Sequence, residues 1–257
     1  MKSVTIATWN MKSIAPKLWG ANGSEDLWRW AEENIGADIY VFTEAKIPKL
    51  GVPTGWQAIY EKGGVGPRRP WGTVIASKRV DIRKLDLPKN VADDDEFEEP
   101  HQATTLVVEA AIGGEPWATV IGAYGLMLDA KSGFAEIERI LWKTLDALAA
   151  SEIPVVVAGD FNLHPNDVRP LFAELNMTDV LSVKGDFPVR IDGVNGTRVW
   201  THRNTDNPGA AIQELDFIFV TDELTTDLLA VRAGIEDFST AFEVSDHAPV
   251  LSTFRLR

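Results

Sequence analysis

Val155-Val156-Val157-Ala158-Gly159-Asp160-Phe161-Asn162-Leu163-His164-Pro165, VVVAGDFNLHP, is the stretch on which the fold of this chain turns. Its β-branched apolar run has the pattern of a strand buried on both faces. The run stops at Gly159, and an acid and an amide follow before Pro165 can open a helix. A lone Asp or Asn after a strand is ordinarily a turn former or a helix cap. Taken alone, Asp160 and Asn162 fit an Asx-turn leading into that helix as well as they fit a functional pair.

Other strand-like segments end the same way. TIATWN finishes on Asn10, YVFTE on Glu44 and VIGAY on Tyr124. QELDFIFV carries Asp216 near its beginning, and EVSDHAPV sets Asp246 and His247 just before the last strand. Strand ends at one level of packed sheets bring these residues to a common edge, where carboxylates, amides and one imidazole suit a hard cation such as Mg²⁺. Singly, His247 is as well explained as a hydrogen-bonded core residue and Tyr124 as an interfacial aromatic with a satisfied hydroxyl. The collective pattern is what those separate explanations leave over.

The remaining strands are read from WQAIY, WGTVIAS, TTLVVEAAI and APVLSTFRL, each short and bounded by turn-forming residues. Helical spacing appears in SGFAEIERILWKTLDALAA, with Phe134, Ile137, Leu141, Leu145 and Leu148 on one face and Ser132 as N-cap. A second helix opens at Ser24 and buries Leu27, Ala31 and Ile35, and a third follows Asn166. At 257 residues, 45% hydrophobic and 25% charged, the composition is that of a globular protein. No repeat, linker or low-complexity tract divides it, so one domain over residues 1–257 is expected. Apolar runs fall short of the ~20 residues of a membrane span, and Met1-Lys2-Ser3 leads straight into VTIATWN without a basic-then-apolar leader. A cytoplasmic location with no membrane partner is expected. The absence of cysteine excludes disulfides and thiolate chemistry, leaving oxygen and imidazole as the available metal ligands.

The net charge of −13 is unevenly distributed: residues 1–90 hold 14 Lys+Arg against 9 Asp+Glu, and residues 91–257 hold 11 against 29. The basic stretches AKIPKLG, EKGGVGPRRPWG and SKRVDIRKL fit either solvated loops and strand edges or a local anion-facing surface. ADDDEFEEP is expected to be an exposed loop held open by like charges.

TWN, the Glu of VFTEAK, GTVIASK, GAYGLM, GDFN, ELDFIFV and SDHAPV, in that order from Trp9 to Val250, together resemble the endonuclease/exonuclease/phosphatase superfamily, the phosphohydrolases similar to exonuclease III and deoxyribonuclease I. The resemblance implies an α/β (α+β) fold, a four-layered, deoxyribonuclease I-like sandwich of two mostly antiparallel sheets flanked by helices. It also implies a Mg²⁺-dependent site, with Mn²⁺ as a substitute. In it Glu44 holds the metal, supported by Asp246 and Asn10. Asp160 is the water-activating base, oriented by Asn10 and Asn162. His247, steadied by Asp216, donates to a phosphate oxygen, and Tyr124 is a second donor. The leaving group takes its proton from Tyr124 or from a metal-bound water. One position departs from the pattern: where many such nucleases carry an acidic residue two positions after the Asn of WN, this chain has Lys12. That residue either contacts a substrate phosphate or points into solvent.

Three functions follow. The basic segment between Lys46 and Lys89, with Arg68 and Arg69 as substrate-binding residues, favours a nuclease or phosphodiesterase acting on nucleic acid. The acidic remainder favours a phosphatase acting on a small phosphorylated metabolite or nucleotide. A catalytically silent binding protein on the same scaffold is disfavoured by the full set of site residues. No obligate protein partner is implied.

Overall fold

The computed structural model describes residues 2–12, 23–65, 69–86, 102–126, 132–184, 199–203 and 213–257, without the side chains of 132–136, 138 and 139. Strands β1 (Ser3–Asn10), β2 (Ile39–Ala45), β3 (Gln57–Tyr60), β4 (Gly72–Ser77), β11 (Leu228–Ala233) and β12 (Val250–Arg255) form one sheet in the order β11-β12-β1-β2-β4-β3. Strands β5 (Asp81–Lys84), β6 (Thr105–Ile112), β7 (Glu115–Tyr124), β8 (Val155–Asp160), β9 (Met177–Asp179) and β10 (Asp216–Thr221) form the other, in the order β5-β6-β7-β8-β10-β9. Each sheet contains one parallel pair, β1 with β2 and β7 with β8. The other pairs are antiparallel.

The two-residue period of a strand builds the layers. Val4 and Ile6 of β1, Ile39 and Val41 of β2, Val156 and Ala158 of β8, and Ile218 and Val220 of β10 meet between the sheets. Their alternates face outward. Ala7, Trp9, Tyr40 and Phe42 pack under helix α1 (Gly23–Asn34), which contributes Leu27, Trp28 and Ala31. Val155, Val157, Phe217 and Phe219 pack under helices α2 (Ser132–Ala150) and α3 (Pro165–Glu174). Because both faces of the central strands are covered, their sequences are apolar at most positions, which is what marks them as strands buried on both sides. At ~25 cal/mol per Å² of apolar surface, each such Val, Ile or Phe contributes roughly 1.5–3 kcal/mol on burial.

The four-layered arrangement matches expectation, and the nine strands read from sequence are all present. Strands β5, β9 and β11 escaped that reading, and all three lie at sheet edges. Asp81–Lys84 has the burial pattern of a strand exposed at three of four positions, so its sequence, DIRK, carries no two-sided apolar signal. Helix α1 runs where expected, with Ile35 buried just beyond its end. On α2, Ile137 is buried and Leu141 and Leu148 pack against the core, joined by Ile140 and Ala147. The Phe134 and Ser132 side chains and the ADDDEFEEP segment lie outside the described residues. Helix α3 starts at Pro165, one residue ahead of Asn166, and its cap is His164, whose Nδ1 accepts from the Asn166 N–H at 3.2 Å. No helix among the described residues is long and apolar enough to cross a membrane.

Two glycines set how closely β7 and β8 approach at the end that carries the polar residues. A Cβ on Gly159 would stand 1.7 Å from the Ala123 carbonyl oxygen, and one on Gly125 would stand 2.1 Å from that of Phe161. Neither clash can be relieved by a side-chain rotation, because the obstructing atoms are backbone. Gly159→Ala is therefore expected to destabilise the fold by about 3 kcal/mol or more, measured as a fall in the urea midpoint. An unchanged midpoint would mean that β7 and β8 are not held this tightly.

Candidate active site

The polar residues at the strand ends belong to the same inward-facing stripes as the core. Asn10 continues Val4, Ile6 and Thr8 of β1; Asp160 continues Val156 and Ala158 of β8; Tyr124 continues Ala118, Val120 and Gly122 of β7; and Asp216 precedes Ile218 and Val220 of β10. Where the apolar stripes end, these side chains face one another across the mouth of the sandwich. Phe161 has the opposite parity. It is buried under α3 at 5.4 Å from Phe172 and 5.6 Å from Phe219, centroid to centroid. This anchor lets Asp160 and Asn162 on either side of it turn to the site.

Glu44 does not obey parity, since it shares the helix-facing register of Tyr40 and Phe42. A β-bulge corrects it: Thr43 and Glu44 stand opposite Thr73 alone between the pairs Phe42–Val74 and Ala45–Gly72. Glu44 takes up the extra residue with a left-handed φ of +46°. Lys12, at φ +43°, and Asn162, at φ +51°, are also left-handed. Each such residue costs on the order of 1 kcal/mol. Three at one site show backbone strain concentrated where side chains must be aimed.

Asn10 links the parts. Its Oδ1 accepts the Lys12 backbone N–H at 2.8 Å, which fixes the amide's orientation and leaves Nδ2 to donate to Asp160 Oδ2 at 2.8 Å and Glu44 Oε1 at 3.2 Å. The Asn162 backbone N–H donates to Asp160 Oδ1 at 2.9 Å, while its Nδ2 donates to the Gly125 carbonyl at 3.0 Å and to Asp160 Oδ2 at 3.2 Å. One turn thus both closes the strand and joins Asn162 to Asp160. Tyr124 donates its hydroxyl to Glu44 Oε1 at 2.9 Å. His247 donates from Nδ1 to Asp216 Oδ2 at 2.8 Å, which points Nε2 toward Asp160 Oδ2, 3.9 Å away.

Burial sets the charge states. Asp160 is fully enclosed, and that burial raises its carboxyl well above the ordinary range, opposed by His247 and assisted by the charge of Asp216. Burial alone would lower the His247 imidazole, but the carboxylates of Asp216, Asp160 and Asp246 outweigh it and hold the ring's pKa well above its usual value. Asp246 is pressed down to about 2: burial works to raise it, and His202, His247 and Lys12 prevail. Burial, with the charges of Glu44 and Asp160, keeps Tyr124 a neutral phenol.

Asn10, Glu44, Tyr124, Asp160, Asn162, Asp216, Asp246 and His247 therefore stand together at one edge. Lys12 is partly exposed, and its Nζ is on Asp246 Oδ2. Arg69 reaches the site's margin, with its guanidinium 5.8 Å from the Trp71 ring centroid and that ring edge-on to Tyr124 at 5.4 Å. Arg68 lies outside the described residues. His202 is an addition. Its ring lies 4.6 Å from that of His247, its Nε2 lies 3.7 Å from Asp246 Oδ2, and its Nδ1 is held 2.7 Å from Gln213 Oε1. The segment VWTHRN ends no apolar strand, so only the isolated bridges from His202 to Gln213 and His247 bring it in. Two clusters among the described residues have the donor sets of a cation site: Asp160, Asp216 and His247, and His202, Asp246 and His247.

The surrounding carboxylates predict that, in EDTA-treated protein, ¹⁵N NMR of the His247 ring shows an imidazolium through neutral pH. Its pKa is raised on folding, so the stability it contributes is complete below the unfolded value near 6.5 and is lost as pH rises through the folded value. Asp216→Asn should bring the titration down toward an ordinary histidine, whereas a neutral ring at pH 7 in the unaltered protein would contradict the geometry.

Comparison with known proteins gives the family and the fold. The model of the Endonuclease/Exonuclease/phosphatase family matches residues 7–247. No curated protein matches the chain significantly by sequence. Among solved structures, an AP endonuclease from Archaeoglobus fulgidus superposes with a TM-score of 0.66 at 20% identity, covering 98% of this chain and 100% of that one. The 3' phosphatase NExo from Neisseria, bound to a product DNA hairpin, gives the same TM-score, identity and coverage. Truncated Caenorhabditis elegans TDP2 gives a TM-score of 0.68 at 14% identity, over 99% of this chain and 98% of that one. At these identities the structural likeness establishes the fold, and the family match covers the residues from β1 to His247; the chain belongs to the Endonuclease/Exonuclease/phosphatase family of phosphohydrolases.

Proposed function

We propose that this protein is a divalent-metal-dependent phosphodiesterase that cleaves nucleic-acid phosphodiester bonds with a water activated by Asp160. The observation that carries the reading is the placement of Asp160, buried and with a raised pKa, held by Asn10 and Asn162 between Glu44 on one side and His247 on the other. A base whose pKa is raised toward neutrality is suited to accepting a proton from water. The protonated His247 supplies the positive charge that an anionic phosphoryl group needs.

The donor set fits a hard cation. Glu44 is partly buried, and the hydrogen bonds it accepts come from Asn10 and Tyr124, both neutral, so its charge is uncompensated among these contacts. Glu44 would hold the ion, with Mg²⁺ or Mn²⁺ suited to its oxygen ligands. A bound ion would neutralise phosphate charge and lower the pKa of a ligated water. Asn10 would keep Glu44 and Asp160 at fixed separation, and Tyr124 would hold the other side of the Glu44 carboxylate. Support for nucleic acid as substrate comes from Arg69 at the margin of the site and from NExo and TDP2, both of which have been solved with DNA product in the structures of NExo from Neisseria and of D. rerio TDP2.

EDTA should abolish hydrolysis across a panel of plasmid, single-stranded DNA, abasic duplex, RNA and simple phosphomonoesters, and Mg²⁺ or Mn²⁺ should restore it. Asp160→Asn should fold and bind substrate while turnover falls by about 10²–10⁴-fold. Full activity in EDTA, near-normal turnover of Asp160→Asn, or hydrolysis confined to phosphomonoesters would each defeat the proposal.

Arg69→Ala should weaken binding of a long nucleic acid and reduce the slope of affinity against salt by roughly one counterion, with hydrolysis of a small phosphodiester nearly unchanged. Equal losses on both substrates would place Arg69 in the support of Tyr124 instead of on the substrate.

A further inference from the structure

We infer that Arg169 is a positioning residue for hydrolysis: its guanidinium grips Glu214 and Asp179, fixes the chain as it enters β10, and so holds the Asp216–His247 pair beside Asp160. This assignment rests on the phosphodiesterase reading above, in which His247 supplies the positive charge.

The grip spans three segments. Arg169 stands one turn into α3, with Nε 2.8 Å from Asp179 Oδ2 at the end of β9 and a terminal nitrogen on Glu214 Oε1. Its guanidinium also lies 5.6 Å from the ring centroid of Phe217. The side chains of Asp179 and Glu214 are enclosed, at 1% and 0% exposure, and Asp179 Oδ1 accepts the Leu181 N–H at 3.1 Å. Glu214 has the parity of Asp216, yet its carboxylate reaches the α3 layer. The alternation of β10 does not place it there, and the arginine does.

The residue after Glu214 is a junction. Leu215 accepts the Phe161 N–H on its carbonyl at 2.9 Å, which ties it to the turn between Asp160 and Asn162. The N–H groups of Leu215 and Asp216 both donate to Thr201 Oγ1, at 2.9 and 3.3 Å. Thr201 in turn accepts the Ala248 N–H on its carbonyl at 2.8 Å, next to His247. A shift of Glu214 would thus pass into both the Asp160 turn and the hydrogen bond from His247 Nδ1 to Asp216.

Stability does not account for the cluster. Withdrawing two carboxylates and most of an arginine from water is costly, and apolar residues of similar volume often serve a core as well or better. What arginine adds is direction, because its planar fork presents N–H groups at fixed angles to two carboxylates at once.

The test compares stability, turnover and the Asp216–His247 hydrogen bond. A triple variant, Arg169→Met with Asp179→Asn and Glu214→Gln, removes the charges of the cluster together, so that no carboxylate of it is left without its arginine. It is expected to keep the wild-type urea midpoint, while kcat falls about 10–100-fold at an unchanged KM. The low-field ¹H resonance of His247 Nδ1–H, recorded on EDTA-treated protein, should shift or broaden. Arg169→Lys keeps the charge without the fork and covers the case in which the triple variant does not fold; it should show a smaller loss of kcat with the same displacement of the resonance. Wild-type turnover or an unmoved resonance in whichever variant folds overturns the role of Arg169, as does a loss of turnover that only follows a fall in the midpoint. A wild type without phosphodiesterase activity instead overturns the reading on which the role stands, and the resonance, read without metal or substrate, is independent of that outcome.

Discussion

One side-chain amide joins the two sheets where their apolar contact ends. Asn10 sits at the last position of β1, and its Nδ2 donates both to Glu44 in its own sheet and to Asp160 in the other. The two carboxylates repel, and a shared donor is the simplest way to hold both at fixed separation. The orientation of the amide is set in turn by the Lys12 N–H on Oδ1, and the Asn10 backbone carbonyl accepts from Ser245 Oγ at 2.8 Å. Ser245 also accepts the His247 N–H at 3.1 Å, so the loop that carries Asp246 and His247 is tied to the same residue. Removing this amide would leave a buried carboxylate short of a donor, at a cost of about 1–3 kcal/mol, as well as freeing the loop.

The concentration of charge is the second constraint. Asp160, Asp216 and Asp246 are buried within reach of one imidazole, a grouping that could not persist with all charges unpaired. Charge is instead arranged in alternation, with His247 between Asp216 and Asp160 and Lys12 on Asp246. Burial holds the Asp160 carboxyl high, while His202, His247 and Lys12 press Asp246 low, so that an acid held high and an acid held low lie beside one imidazole. A hydrolytic site needs both states at the same pH.

Rigidity comes from the packing behind the site. Phe161 locks the residue between Asp160 and Asn162 under α3, and Trp9, on the outward side of β1, donates from Nε1 to the His247 carbonyl at 3.0 Å. Asn10, Asp160, Asn162 and Asp216 each adjoin an aromatic, Trp9, Phe161 or Phe217, buried in the opposite core, which converts the alternation of a strand into fixed aim.

The sequence by itself determined the central strands, the four-layer arrangement through its resemblance to known phosphohydrolases, and which residues close those strands. Burial on both faces makes a strand apolar at most positions, and the point where that run meets Asn10, Tyr124, Asp160 or Asp216 is visible locally. Edge strands such as β5 carry no such signal, because one of their sides pairs with nothing and their side chains face solvent. Only the tertiary structure decided the rest. Glu44 is on the wrong side of β2 by parity, and a bulge against Thr73 with a left-handed φ is what turns it to the site. Lys12 is directed onto Asp246 across 234 positions of sequence, and His202 reaches the cluster through isolated bridges outside any long strand. These placements depend on the register between segments distant in the chain, and periodicity within a segment carries no information about that register.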